Sequence, residues 1–184
     1  LVRNIEGYPA VSATTVLLPA VLNRKIVAVR TMDYKDQQAL NTLVSEDFSE
    51  WSNKVLVDQA LINQYAELSG DNMWMHVDEE RCARESPFGG TIAHGFLILS
   101  LITRFSGGPS AISQITGFSH MMNYGSDKLR FLGAVPVNSE IVSRSRIKRI
   151  EVAQNKTKVV METHVHVLDV ETPALIYELM FVFL

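Results

Sequence analysis

An aspartate and a histidine five residues apart, Asp71 and His76, stand in the stretch Tyr65-Ala-Glu-Leu-Ser-Gly-Asp-Asn-Met-Trp-Met-His-Val-Asp78. A carboxylate beside an imidazole is a natural acid/base pair, because histidine titrates near neutrality and a carboxylate can orient it. Spacing alone suits an aspartate that caps a turn and a histidine that fills a pocket better. The second informative stretch is Gly89-Gly90-Thr-Ile-Ala-His-Gly-Phe-Leu-Ile-Leu-Ser100. A glycine pair opening a helix lets backbone amides approach a ligand closely, and those amides carry partial positive charge that suits a developing enolate oxygen. Taken singly, Gly90 and Gly95 also serve close packing, and His94 also reads as a buried, satisfied histidine. Ser100 can simply bond back to a carbonyl one turn earlier.

Weaker constellations lie nearer the C-terminus. Glu162, His164 and His166 project from one strand face, and histidines two apart can share a metal, although a solvated sheet face explains them better. Arg144, Arg146, Lys148 and Arg149 offer either a partner for phosphates or an ordinary basic edge. No phosphate loop, dinucleotide glycine pattern or Gly-x-Ser-x-Gly elbow occurs.

The positioning elements follow from local signals. Asp58 is placed to cap a helix starting at Gln59, in which Leu61, Ile62, Tyr65 and Leu68 form an apolar stripe and which Gly70 ends. Asp78 caps a second, short helix led by Glu79 and Glu80. The apolar run Ile92–Phe105 reads as a helix to be covered on all sides. From Lys128 onward the period is two, giving strands around 141–148, 159–167 and 174–184 joined by short linkers. One buried helix with long antiparallel strands means α+β.

The chain has 184 residues, 47% hydrophobic and 20% charged, with a net charge of −3. That suits one self-sufficient domain and excludes a disordered chain. The small charge argues against a nucleic-acid binder, and no segment reaches the ~18 apolar residues of a membrane span. The single cysteine, Cys82, makes a reducing compartment the expectation. Residues 1–32 carry Arg3, Arg24, Lys25 and Arg30 against one acid, Glu6. That bias weakly resembles a transit sequence. An apolar extension packed on the domain suits Leu17, Leu18, Val21, Leu22, Ile26 and Val27 better.

Together, the two glycine- and histidine-bearing stretches resemble the hydratase motif of the MaoC-like dehydratases, which are (R)-specific enoyl-CoA hydratases. The matching positions are Asp71, His76, His94-Gly95 and Ser100. The resemblance is closer to the NodN-like branch. It is carried by Ser49-Glu50-Trp51, Val57-Asp58-Gln59, Trp74 to Asp78, Pro87 to Gly95, Asn123-Tyr124-Gly125 and Asp127 to Phe131. It spans residues 38–184 and leaves 1–37 as an N-terminal extension. The family usually carries Gln or Asn where this chain has Met73, a side chain unable to donate a hydrogen bond.

The resemblance implies a hotdog fold, with a long antiparallel sheet wrapped around a central buried helix, and a homodimer acting on an acyl-CoA thioester. It implies Asp71 and His76 as the catalytic pair, the Gly95 amide polarising the thioester carbonyl, and His94, Ser100 and Gly90 shaping the pocket. Neither metal nor redox cofactor is implied, since coenzyme A arrives with the substrate. A hotdog thioesterase and a non-catalytic acyl-CoA binder are the alternatives. The expected location is the cytoplasm, or in a eukaryote the mitochondrial or peroxisomal matrix.

Overall fold

The computed structural model describes residues 31–106 and 111–184. The segment read as a packed or transit-like extension therefore lies almost wholly outside the described residues. In chain order come strand β1 (Met32–Asp33), helix α1 (Gln37–Asn41), strand β2 (Val55–Val57) and helix α2 (Gln59–Ser69). Helices α3 (Trp74–Val77), α4 (Glu79–Glu85) and α5 (Gly95–Ser100) follow, the last continued by a 3-10 turn over Leu101–Arg104. A second 3-10 turn (Ala111–Gln114) leads into β3 (Ile115–Thr116), β4 (Met121–Phe131), β5 (Ser139–Ala153), β6 (Lys156–Val167) and β7 (Leu175–Phe183).

The local signals act as their chemistry dictates. The Asp58 carboxylate accepts from the Leu61 amide at 2.8 Å, and Gly70 closes α2 in the left-handed region at φ 77°. The Asp78 carboxylate accepts from the Arg81 amide at 2.9 Å and starts α4. Five strands make one antiparallel sheet in the order β2-β5-β6-β7-β4, while β1 and β3 pair in parallel beside it. Its core side meets α5. Leu97, Ile98 and Leu101 pack with Ile62, Val135, Ile141, Val165 and Leu175. A second cluster gathers Met32, Tyr34, Leu40, Ile147, Val159, Phe181 and Phe183 at the far end of the sheet.

Four expectations are corrected. The helix expected over 92–105 starts only at Gly95, because Thr91, Ile92 and Ala93 are held as extended chain. The Ala93 amide donates to the Val135 carbonyl at 2.8 Å, and the Val137 amide to the Thr91 carbonyl at 2.9 Å. Nor is that helix covered all round, since Phe96 is 60% exposed. Leu68 of the α2 stripe points outward, 82% exposed, leaving Ile62 and Ala66 as the buried face. Strand β4 begins at Met121, well before Lys128. It is an edge strand exposed on both faces, so no alternation marks its first half.

The fourth correction concerns the strand face of Glu162, His164 and His166, which is not solvated. Glu162 and His166 are buried. The Phe48 ring lies 4.5 Å from His164 and the Trp51 ring 5.0 Å from His166, centroid to centroid. Glu162 accepts from Arg146 at 3.0 Å and from His164 at 2.7 Å, while His166 Nδ1 is 3.1 Å from the Val170 carbonyl. The two imidazoles thus serve different partners, and each has a structural reason to be there.

Burial alone would push the Glu162 carboxyl up, but hydrogen bonds from Arg146 and His164 outweigh it and hold the group below its ordinary range. Burial pushes the His166 imidazole down, against the smaller opposing effect of the Val170 carbonyl. Both shifts have one sign for stability. The unfolded chain takes up its histidine proton near pH 6.5, ahead of the folded His166, and its glutamate proton near pH 4.3, ahead of the folded Glu162. The urea midpoint is therefore expected to fall as pH drops below ~6.5, and more steeply below ~4.5. His166→Gln should flatten the upper part of that profile, and an unchanged slope in the variant would assign the loss to other groups.

Candidate active site

Two loops and two short helices build the site. Past Gly70 the chain turns through Asp71, whose carboxylate accepts from the Met73 amide at 3.3 Å. One turn of helix follows, so His76 sits on α3 rather than in the plain loop that the sequence suggested. Met73 occupies the N-cap position of α3, exposed and without a side-chain capping bond. The Gln59 amide of α2 donates to the His76 carbonyl at 2.8 Å and accepts from the Thr91 hydroxyl. Gln59 therefore ties α2, α3 and the second loop together, a role that nothing in its local sequence announced.

Both histidines of the site are buried and held by backbone carbonyls. His76 Nδ1 lies 2.7 Å from the Ile92 carbonyl. A carbonyl only accepts, so Nδ1 carries the proton and Nε2 presents a lone pair. His94 Nε2 lies 2.9 Å from the backbone carbonyl of Asp71, which by the same logic makes Nε2 its donor. His94 Nδ1 is buried without a partner among the described residues. The two rings stack at 3.8 Å with 29° between their planes, and Tyr65 closes on His94 at 5.1 Å.

Asp71, His76 and His94 thus converge, with one potential ligand atom from each lying within 4.8 Å of the others. Among the described residues this is the one such group of three acids, histidines or cysteines. Donor type alone would suit a transition metal.

His76 and Gly95 line a shared cavity of about 360 Å³, with Ile92, Ile98, Phe131 and Leu175 among its walls. Gly95 is demanded by space. A Cβ there would stand 2.8 Å from the Phe131 ring. Asp71 and His94 meet His76 but are not among the lining residues of that cavity, and two further expected site residues lie apart from both. Ser100 is exposed further along α5 and donates to the Phe96 carbonyl at 2.8 Å, while Gly90 lies near Val137, outside that cavity. The cationic edge is largely spent on carboxylates. Arg146 pairs with Glu46 and Glu162, Lys148 with Glu178, and Arg149 with Asp127 and Glu151. Apart from Glu151, which is on β5 itself, these charge partners lie on other segments and are invisible from β5 alone.

Comparison with known proteins places the chain in a family. Nodulation protein N of Rhizobium meliloti (strain 1021) is 37% identical over 132 residues, covering 67% of this chain and 78% of that protein. A protein named 3-hydroxyacyl-thioester dehydratase Z, from Mycobacterium tuberculosis, is 37% identical over 131 residues, covering 71% of this chain and 82% of its own length. The structure of the (R)-hydratase from A. caviae involved in PHA biosynthesis aligns with a TM-score of 0.57 at 20% identity, over 74% of this chain and 96% of that one. The architecture is therefore the hotdog fold that the motifs implied, and similarity to nodulation protein N fits the branch. The family model described as MaoC like domain matches residues 30–170, and the chain belongs to that family.

Proposed function

We propose that the protein hydrates trans-2-enoyl thioesters of coenzyme A to (3R)-3-hydroxyacyl thioesters, and catalyses the reverse dehydration. The observation that carries this reading is the fixed tautomer of His76. The Ile92 carbonyl holds the Nδ1 proton, so Nε2 faces the site as a base beside the Asp71 carboxylate. Water held between the two would lose one proton to His76 Nε2 while Asp71 accepts a hydrogen bond from its other hydrogen. The water oxygen bonds to the β-carbon, the double-bond electrons shift toward the thioester oxygen, and His76 returns the proton to the α-carbon. The Gly95 amide, ahead of the first helical hydrogen bond of α5, is the donor for that oxygen. The names of the similar dehydratase and hydratase support the same chemistry. Crotonyl-CoA provides the test. Loss of its enoyl absorbance without release of free thiol is expected, whereas thiol release would make the protein a thioesterase and no change a binder.

The same reading includes a homodimer. Strand β4 is an unpaired edge, and Met121, Met122, Tyr124, Phe131 and Phe96 expose apolar surface along it and beside it. Pairing two such edges would satisfy their free backbone groups and cover that surface. Light scattering at micromolar concentration is expected to give twice the chain mass, and a monomer there would count against the joined sheets.

A further inference from the structure

We propose that Gln59 is a positioning residue for His76. It holds the imidazole against the Ile92 carbonyl and so fixes which ring nitrogen keeps a free lone pair. Its consequence for rate rests on His76 being the base of the proposed hydration, yet the tautomer itself is measurable without any substrate.

Gln59 is the first residue of α2, and its side-chain amide is fully engaged. The amide nitrogen donates to the His76 carbonyl and to Asn63 Oδ1, each at 2.8 Å. The amide oxygen accepts from the hydroxyl of Thr91, which is buried. A main-chain carbonyl only accepts, so the nitrogen must be the atom turned toward His76. The residue after Thr91 is Ile92, whose carbonyl holds His76 Nδ1 at 2.7 Å. The bonds therefore close a ring: Thr91 to Gln59, Gln59 to the His76 main chain, and the His76 side chain to Ile92.

The two sides of that ring differ in firmness. The chain at Thr91–Ala93 is anchored by the Val137 amide to the Thr91 carbonyl and the Ala93 amide to the Val135 carbonyl. Helix α3, by contrast, is a single turn of four residues, and its N-cap Met73 makes no side-chain bond. One helical turn has little stability of its own, so its placement depends on bonds from outside. The Ile92 amide supplies one, to the Met75 carbonyl at 3.0 Å, and Gln59 supplies the next, at His76 itself. Helix α2 spans eleven residues and is capped at both ends, which makes it a firm base for Gln59. Leucine at this position would fill the space and make none of these bonds. An ionised glutamate would keep the bond from Thr91 but repel the His76 carbonyl.

Nitrogen-15 NMR of the histidine side chains in the full chain provides the test, at about pH 8, where ordinary histidines are neutral. The His76 signals are identified by their loss in His76→Ala. The parent is expected to show a protonated Nδ1 and a bare Nε2 at His76. Gln59→Leu and Gln59→Glu should both give a mixture of the two tautomers. In the same variants, kcat for crotonyl-CoA hydration should fall about tenfold or more, with KM changed less than about twofold. A Gln59 that merely braced the fold would lower the melting temperature and leave the His76 tautomer as it was. An unchanged tautomer in both variants would therefore overturn the proposal whatever the rate, and so would a raised KM with kcat intact. If the parent hydrates no crotonyl-CoA, the reading of its function fails and the spectrum alone decides the role of Gln59. If Gln59→Leu fails to fold, Gln59→Glu, which keeps the size of the side chain, decides in its place.

Discussion

Asp71→Asn and His76→Ala are each expected to lower the hydration of crotonyl-CoA at least ~100-fold, and the double variant to be little worse than either. The proposed reason is a shared water: His76 Nε2 would take its proton only while Asp71 holds its other hydrogen in the right direction, so removing either partner would remove the same event. Asp71→Asn keeps the size of the side chain and its turn, yet exchanges one acceptor oxygen for a donor. His76→Ala also deletes the ring that stacks on His94 and the bond to the Ile92 carbonyl. Its melting temperature must therefore be read beside its rate. A fold intact to within a few degrees with the rate lost places the effect in the chemistry. Losses that multiply in the double variant would argue for two separate roles, and near-parental activity in either single variant would remove that residue from the mechanism.

Hydration of crotonyl-CoA should give the (3R) product in an excess of roughly 100:1, which requires only about 2.7 kcal/mol between the two approaches. The proposed reading has water reach one face of the enoyl group: His76 lines the cavity with its ring stacked on His94, and Phe131 stands against Gly95 in the same wall. A pocket that leaves no room for water on the second face imposes that difference by exclusion alone. The product can be offered to a dehydrogenase that oxidises only the (3S) alcohol and, separately, to one that oxidises only the (3R) alcohol. Rapid oxidation by the first would sink the assignment. The outcome is independent of overall rate, so it also distinguishes this chemistry in a slow enzyme from an unselective background.

The amino-acid sequence by itself determined the parts of this protein whose causes lie within a few residues of one another. Asp58 and Asp78 cap α2 and α4 because a carboxylate reaches amides three positions on. Gly70 ends α2 because the left-handed region costs it nothing. The alternation over β5 and β6 predicts strands because one face of each meets the core, and the Asp71-to-His76 spacing marks a candidate acid/base pair. Only the tertiary structure decided what distant segments do to one another. The sequence gives no hint that the Ile92 carbonyl selects the tautomer of His76, or that His94 lies flat on that ring while gripping the backbone of Asp71. Nor does β5 or β6 reveal that Phe48 and Trp51 fold over their polar face and bury His166 and Glu162. Capping and turn formation are governed by short-range sterics and hydrogen bonds, which residue type and spacing encode directly. Burial, tautomer and charge pairing depend on which side chains the folded sheet brings within a few ångströms, and that is a property of the packed molecule.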